Sequence, residues 1–384
     1  MKKHCLLAAS FTLALASFAH AGYRYKYKVT VDHTQAGSSD SANFPILVSL
    51  SSSDFKTSAN GGSIQNTVTL NGQTVPADLI VTTDSGCATK VTAWEVASYS
   101  ATGGTVELWV NQGTLSHTAD TVFYICIDNS AVTTYQSTAT SAWETHFKLV
   151  LHAANGASLS GNDSTSNGNN ASSVTGTAST GQIDGGASLS GSQQLLIPNS
   201  SSLQVNTGDF TISCWFKQTT TGSYAALFDR GVTYRDYSIF INGGTFAYYG
   251  VGGNANVLSS PSVSTGTWYY FVWTRSGSSN RISVNNGTAT TFTDSGSTDH
   301  GDGLSIGKNP SGGGSGFIGI EDEFRVANTA RSADWITAEY NMEKSSQTMV
   351  SVGARQSNSM TGHGGQIMDA SARRPAVRGL HAAR

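Results

Sequence analysis

Hydrophobic and polar residues alternate along most of the chain. From Tyr23 to Thr30, aromatic and β-branched residues take turns with arginine, lysine and threonine. A period of two is typical of a strand with one buried face. Similar short runs recur up to residue 127 and again from 194 to 326, separated by turn signals such as Asn71-Gly72. This pattern predicts an all-β fold made of sandwiches.

The spacing of these runs predicts two domains. Residues 155–186 are rich in Gly, Ser, Asn and Thr, as in a linker or a long loop. We therefore expect one β-sandwich over residues 22–152 and a second over 153–345. A single short helix is predicted near the end of the second, with Ser332 as its N-cap. Residues 346–384 are rich in Gly, Ala, Ser and Arg, and we expect a disordered basic tail there.

The first 21 residues have the features of a secretory signal peptide. A positive start is followed by an apolar run from Cys5 to Phe18 and by the small-residue site Ala19-His20-Ala21. The alternative is an uncleaved anchor, but a strand pattern begins at once at Tyr23. The chain is therefore predicted to be exported, to the extracellular space, the periplasm or the cell surface, and to have no transmembrane segment.

Composition agrees with an exported β protein. Charged residues make up 12% of the chain, and there are 42 glycines. The formal net charge is −3, and the segment between the leader and the basic tail is more acidic than the whole. A mildly acidic body argues against nucleic acid as a partner.

Three cysteines follow the leader. Cys214 lies within an apolar strand pattern, so we expect a small buried hydrophobic residue. Cys87 follows a turn and Cys126 lies in a predicted strand. A disulfide between these two is one alternative, and free thiols are the other.

Five segments of the N-terminal half form a recognisable set: the start at Tyr23, 43–48, 76–79, 121–124 and 143–152. Together, from Tyr23 to about His152, they resemble a bacterial domain of unknown function, number 2341. It implies a β-sandwich and little biochemistry.

Four motifs occur in order in the C-terminal half, at 209–216, 266–271, 317–326 and 330–336. Together they resemble a laminin-G-like, concanavalin A-like domain of the lectin/glucanase type. The resemblance implies a jelly roll of two packed antiparallel sheets. Relatives bind carbohydrates or proteins, or act as spacers, so the fold does not specify the ligand.

Glu321-Asp322-Glu323 is the most acidic site in the chain. Laminarinase-type glucanases of this fold carry two catalytic glutamates four residues apart on one strand. Here that position, counted from Glu321, is Arg325. Strand alternation predicts that Glu321 and Glu323 share one face and Asp322 the other. A glycosidase needs a matched carboxylate pair that flanks the bond, so no catalytic residues are predicted.

The resemblance implies a structural calcium ion near the closing strand. Asp322 and the loop residue Asp163 are the candidate ligands, because Asn162–Gly168 is rich in the oxygen donors that Ca²⁺ prefers. The alternative is a solvated loop with an aspartate hydrogen-bonded to the backbone.

Aromatic side chains suggest a sugar site. Flat rings stack on pyranose faces, and a few polar groups orient the ligand. Tyr234 and Asp236 lie beside a turn, and Tyr248 lies on a neighbouring hairpin. We predict these three as ligand-binding residues, with packing in the core as the alternative. His146 and His152 are predicted to be structural.

Three functional hypotheses follow, with a non-catalytic, carbohydrate-binding envelope or secreted protein as the first. The second is a structural or adhesive envelope protein that contacts other proteins. The third is a polysaccharide-cleaving glycoside hydrolase, which requires Glu321 or Glu323 for turnover.

Overall fold

The computed structural model describes residues 22–153, 159–231, 237–249, 255–294, 301–310 and 315–358. The described part is mostly β, with one α-helix near its end, which confirms the predicted all-β class. None of its helices has the length and apolar character that a membrane crossing requires. The predicted leader, residues 1–21, lies outside the described residues.

Antiparallel strands make up nearly all of the regular structure. The first nine strands are β1 (Tyr25–Val31), β2 (Pro45–Ser51), β3 (Thr67–Leu70), β4 (Gln73–Pro76), β5 (Ile80–Thr82), β6 (Lys90–Val91), β7 (Trp94–Ser100), β8 (Thr105–Asn111) and β9 (Thr121–Ile127). The next ten are β10 (Phe147–Leu151), β11 (Ser173–Val174), β12 (Thr177–Thr180), β13 (Gly185–Ser190), β14 (Leu195–Ile197), β15 (Phe210–Gln218), β16 (Ala225–Arg230), β17 (Ser238–Asn242), β18 (Thr245–Tyr249) and β19 (Ala255–Ser262).

The chain closes with eight strands and the α-helix. They are β20 (Tyr269–Ser276), β21 (Ser279–Val284), β22 (Thr290–Thr293), β23 (Leu304–Ile306), β24 (Ser315–Gly316), β25 (Ile318–Ala327), α1 (Ala333–Glu343), β26 (Val350–Val352) and β27 (Gln356–Ser357). Short 3-10 turns lie at His33–Gln35, Ser53–Phe55, Ser58–Asn60, Ala139–Ala142 and Ser201–Leu203.

The first sandwich packs a six-stranded sheet against a three-stranded one. The larger sheet has the order β26-β1-β9-β5-β6, with β27 also paired to β1, and the smaller has the order β2-β8-β7. Tyr27, Val29 and Val31 of β1 point into the shared core, as their alternation predicts. The hairpin β3–β4 turns at Asn71-Gly72, where both residues have positive φ.

The second sandwich consists of two eight-stranded sheets. One runs β12-β13-β25-β15-β20-β21-β22, with β10 beside β25; the other runs β11-β14-β23-β16-β17-β18-β19, with β24 beside β16. Their inner faces enclose a core that includes Phe216, Phe228, Phe271 and Phe324. Helix α1 begins where Ser332 Oγ accepts a hydrogen bond from the amide of Trp335, so the predicted N-cap is confirmed.

The two sandwiches share elements across a common seam. Strand β10 lies within the predicted first domain, 22–152, yet it pairs with β25 of the second sandwich. Trp335, Ala338 and Met342 of α1 pack in the core of the first sandwich. The boundary near residue 152 therefore separates segments that fold together.

The chain returns to the first sandwich after α1. The predicted disorder of residues 346–384 is wrong for 346–358, because β26 and β27 pair with β1. Met349 and Val350 are also buried in the first core. Backbone hydrogen bonds to the edge of β1 order this polar segment, so its low apolar content was misleading. Residues 359–384 lie outside the described part.

The cysteines fall into two classes. Cys87 and Cys126 form a disulfide, which decides the alternative that the sequence left open. Cys214 is a free thiol, fully buried in the core of the second sandwich, as predicted.

Candidate functional site at the seam

A β-bulge in β25 determines which side chains reach the seam. Opposite β15, the register shifts between Ser213 and Trp215, so that Glu323 and Phe324 together oppose one residue of β15. Glu323 adopts a left-handed backbone with φ 50°. An extra residue of this kind re-aims the side chains that follow it.

The bulge overturns the predicted sharing of a face by Glu321 and Glu323. Glu321 pairs with the core residue Phe216 and therefore points between the sheets of the second sandwich. Glu323 turns to the outer face, where it contacts Arg325 and His152. Simple alternation fails here because a bulge is not visible in the hydrophobic pattern.

Arg325 is the centre of a buried ionic cluster on this outer face. Its guanidinium donates to Glu323 at 2.7 Å, to Glu343 at 2.6 Å and also to Glu339. The indole rings of Trp109 and Trp143 cover it, with ring centroids 4.7 and 5.5 Å from the guanidinium carbon. All of these charged groups are shielded from water, so each depends on its partners for stabilisation.

His152 links the two sandwiches through two carboxylates. Its Nε2 lies 2.8 Å from Glu95 of β7, and its Nδ1 lies 2.8 Å from Glu323 of β25. A ring with an acceptor at both nitrogens must donate from both, which only the imidazolium can do. Burial opposes this charge, but the Glu323 and Glu95 carboxylates outweigh it and hold the pKa of His152 well above its ordinary value.

The acids of β25 respond to their surroundings in opposite ways. Burial alone would raise the pKa of Glu323, but His152 and Arg325 bring it below its usual value. Burial raises the pKa of Glu321 well above its usual value, and no other group offsets that effect. Burial and the neighbouring Glu323 also raise the pKa of Asp322.

A cleft opens at one end of the seam. It is small and partly open to solvent, with a cavity volume of about 60 Å³. Its lining comes from the β3–β4 hairpin, from β7, from the 135–139 segment and from the loop that follows β10. The described lining residues are Leu70, Asn71, Gln73, Val75, Glu95, Val96, Ala97, Tyr135, Ala139, His152, Ser160, Asn162 and Ser164.

Polar groups in the cleft are suited to a hydroxyl-rich ligand. Glu95 Oε1 accepts from His152 and from the Trp143 indole, while no hydrogen bond within the described part of the chain reaches Oε2. The Tyr135 hydroxyl accepts from the Val96 amide at 3.0 Å, which leaves its proton available to donate. Carboxylate, phenol and amide groups of this kind fix the orientation of a ligand in a pocket.

The sequence did not indicate Glu95 or Tyr135 as site residues. Each is a single polar residue within a strand or loop pattern, and the fold of the first sandwich places Tyr135 beside β7, which carries Glu95. His152 was predicted to be structural, and it is both a structural link and part of the lining.

The predicted aromatic site lies elsewhere. Tyr234 and Asp236 fall outside the described residues. Tyr248 is 7% exposed, and its ring stacks on Phe292 with centroids 4.0 Å apart. This packing corresponds to the core alternative, and sugar stacking on Tyr248 stays a prediction.

Asp163 organises its loop through hydrogen bonds. Its carboxylate accepts from the amides of Val150, Thr165 and Asn169 and from the Thr165 hydroxyl, at 2.8 to 3.0 Å. These contacts correspond to the alternative to a calcium ligand, namely an aspartate that is hydrogen-bonded to the backbone of its loop. Burial raises its pKa, and the amide hydrogen bonds oppose that effect.

Asp322 binds a different part of the backbone. Its Oδ2 accepts from the amides of Gln182 and Ile183, both at 2.9 Å, so Asp163 and Asp322 have no partner in common. Within the described ranges, one group of three side chains has potential metal-ligand atoms within 4.8 Å of one another. It consists of Asp32, His33 and Asp120. Calcium at Asp163 and Asp322 stays a prediction.

The geometry argues against a carboxylate pair for glycoside hydrolysis. Glu321 and Glu323 point to opposite faces of β25, and neither lines the cleft. Glu95 and Glu323 face each other, but the His152 ring occupies the space between them. A glycosidic bond has to lie between the two carboxyl groups, and here that position is filled.

One family matches part of the chain. Residues 189–337 match the laminin-G family described as the concanavalin A-like lectin/glucanases superfamily. The jelly-roll domain implied by the resemblance is therefore confirmed for these residues, whereas the domain of unknown function 2341 stays a prediction. No curated protein matches the chain.

Several solved structures show distant similarity. The binding domain of Paraclostridial Mosquitocidal Protein 1 is 14% identical over 51% of this chain and 52% of that chain, with a TM-score of 0.43. Domain 4 of AbnA, an extracellular arabinanase from Geobacillus stearothermophilus solved with arabinotriose, is 15% identical over 53% and 100%, with a TM-score of 0.42. The chain spans about half the length of the first of these. Similarity at this level identifies neither a common ligand nor a common site.

Proposed function

We propose that this chain is an exported, non-catalytic carbohydrate-binding protein, and that the cleft at the seam is its binding site. The observation that carries the proposal is the cleft itself, where amide, hydroxyl and carboxylate groups converge beside Tyr135. The match of residues 189–337 to the lectin/glucanase superfamily supports a sugar as the ligand class.

Binding without catalysis follows from the state of the charged groups. The two carboxylates nearest the cleft, Glu95 and Glu323, both contact the His152 ring, which fills the space between them where a glycosidic bond would have to lie. A ligand in the cleft meets hydrogen-bonding groups that are already oriented by the surrounding structure. Preorganised groups of this kind lower the entropic cost of binding.

A glycan array probed with residues 22–384 tests the proposal. We expect binding to at least one class of oligosaccharide, and weaker binding by Gln73→Ala and Tyr135→Phe, which alter two different sides of the cleft. Gln356→Ala is the matched control, because Gln356 lies exposed on β27 and does not line the cleft.

Two results would count against the proposal. One is the absence of binding to every glycan on the array. The other is binding that both cleft variants leave unchanged, since the ligand would then occupy a different surface.

A further inference from the structure

Glu95 carries the one carboxyl group among the described lining residues of the cleft. Glu95 is 6% exposed and lines the cleft, with Oε1 held by His152 and the Trp143 indole. Its Oε2 has no hydrogen bond within the described part of the chain. A ligand group that donates a proton would complete the coordination of this carboxylate, and hydrogen bonds to an ionised acceptor are short and strong.

No positive group in the described lining is free to bind an anion. None of the described lining residues is lysine or arginine. His152 is the one cationic side chain among them, and both of its nitrogens already contact carboxylates at 2.8 Å. An imidazolium has two N–H donors, so none remains for a ligand.

An acidic ligand group at Oε2 would therefore meet a carboxylate oxygen, and no cationic donor of the described lining is free to offset that contact. Glu95 lies in a shielded environment, where repulsion between like charges is stronger than in water. Specificity commonly arises from such unfavourable contacts with the wrong ligand. A neutral sugar hydroxyl or an amino group, in contrast, can donate to Oε2.

We infer that Glu95 determines specificity, so that the cleft accepts neutral and amino saccharides and rejects acidic ones. This inference rests on the proposed function and adds the class of ligand. Saccharides that carry carboxylate, sulfate or phosphate groups at the bound unit are excluded by the same contact.

The test is a titration of the full chain with three oligosaccharides of equal length, made of glucose, glucosamine or glucuronic acid units. Should the array favour another neutral sugar, its amino and uronic acid counterparts replace them. We expect the neutral and amino forms to bind at least about tenfold more tightly than the acidic form, a difference that titration calorimetry resolves readily. Equal or tighter binding of the acidic form would overturn the inference and leave the proposed function intact.

Variants at Glu95 separate charge from shape. Glu95→Gln keeps the size of the side chain and removes its charge, so we expect discrimination against the acidic form to fall about tenfold. Asp40→Asn is the control, because it removes an exposed carboxylate that does not line the cleft. An unchanged order of affinities in Glu95→Gln would contradict the inference.

If Glu95→Gln does not fold, the test still rests on two measurements: the titration of the wild-type chain with the three oligosaccharides, and the same titration of Glu95→Asp. Glu95→Asp retains the charge, and we expect it to retain the preference for neutral and amino forms. Failure of all three oligosaccharides and of the whole array would instead overturn the proposed function itself.

Discussion

Two buried glutamates on one strand behave as opposites, and the regions around them explain why. Glu323 lies in the seam, where it contacts His152 and Arg325 and has a lowered pKa. Glu321 lies inside the second sandwich, where neither of its oxygens has a hydrogen-bond partner in the described part of the chain, and its pKa is raised. Equal burial thus goes with a stabilised charged form at Glu323 and a favoured neutral form at Glu321.

This contrast shows how the molecule uses its polar residues. The interior of the second sandwich is held by apolar packing and tolerates a neutral acid. The seam depends on a continuous chain of ion pairs that runs from Glu95 at the cleft to Glu339 of α1. Such a chain ties the shape of the cleft to the packing of the helix.

The largest effect is expected when Arg325 is removed. Arg325→Met leaves Glu323, Glu339 and Glu343 buried without their common cation, so we expect a loss of about 4 kcal/mol in the free energy of unfolding. Chemical denaturation measures this loss. Arg281→Met, at an exposed position on β21, should change the value by less than about 0.5 kcal/mol. A small effect at Arg325 would mean that the seam is held by apolar contacts alone.

A matched pair of substitutions tests the contrast directly. Glu323→Gln removes the charge between His152 and Arg325 and should cost about 3 kcal/mol. Glu321→Gln replaces a neutral, unpaired acid with a neutral amide, so we expect a change within about 1 kcal/mol. Both are followed by urea denaturation at pH 7. Equal losses at the two positions would show that burial, not pairing, controls these acids.

The free energy of unfolding should depend on pH through the buried titratable groups of the seam. The pKa of Glu323 is lowered on folding, so its contribution is present above the unfolded value of about 4.3 and disappears as the pH falls. The pKa of His152 is raised, so its contribution is full below the unfolded value of about 6.5 and is lost as the pH rises through the folded value. The raised pKa of Glu343, about 8, also makes stability fall between about pH 4.5 and 8.

Thermal unfolding between pH 4 and 9 checks this profile. We expect His152→Gln to lower stability by about 3 kcal/mol near pH 6 and to flatten the alkaline decline. His146→Gln, at an exposed position, is the control and should retain the wild-type profile. An alkaline decline that His152→Gln leaves unchanged would show that the imidazolium does not link the sandwiches.

The local pattern of hydrophobic, polar and capping residues predicted the strands and the helix better than it predicted the cleft. The alternation from Tyr23 to Thr30 gave the correct face of β1, and Ser332 marked the start of α1, because both signals act over a few neighbouring residues. Strand β10 pairs with β25, and β26 and β27 pair with β1, so each depends on the free edge of a strand that is distant in the sequence. The local hydrophobic pattern of a segment does not indicate which distant strand it will pair with.

The candidate site was missed for the same reason. Glu95, Tyr135 and His152 lie on three separate segments of the chain and meet only in the folded structure. The bulge at Glu323 added a second difficulty, since one extra residue reverses the face that alternation assigns. The acidic run on β25 was correctly identified as unusual, but its members serve the seam and the core instead of forming a catalytic pair.

Amide hydrogen exchange with a bound neutral or amino oligosaccharide tests the central claim most directly. If the cleft is the binding site, exchange should slow in peptides that cover 70–75, 94–97 and 160–164. Peptides from 238–249, which include Tyr248, should be unaffected. Protection confined to 238–249, with none at the cleft, would contradict the assignment and favour the aromatic surface that the sequence first suggested.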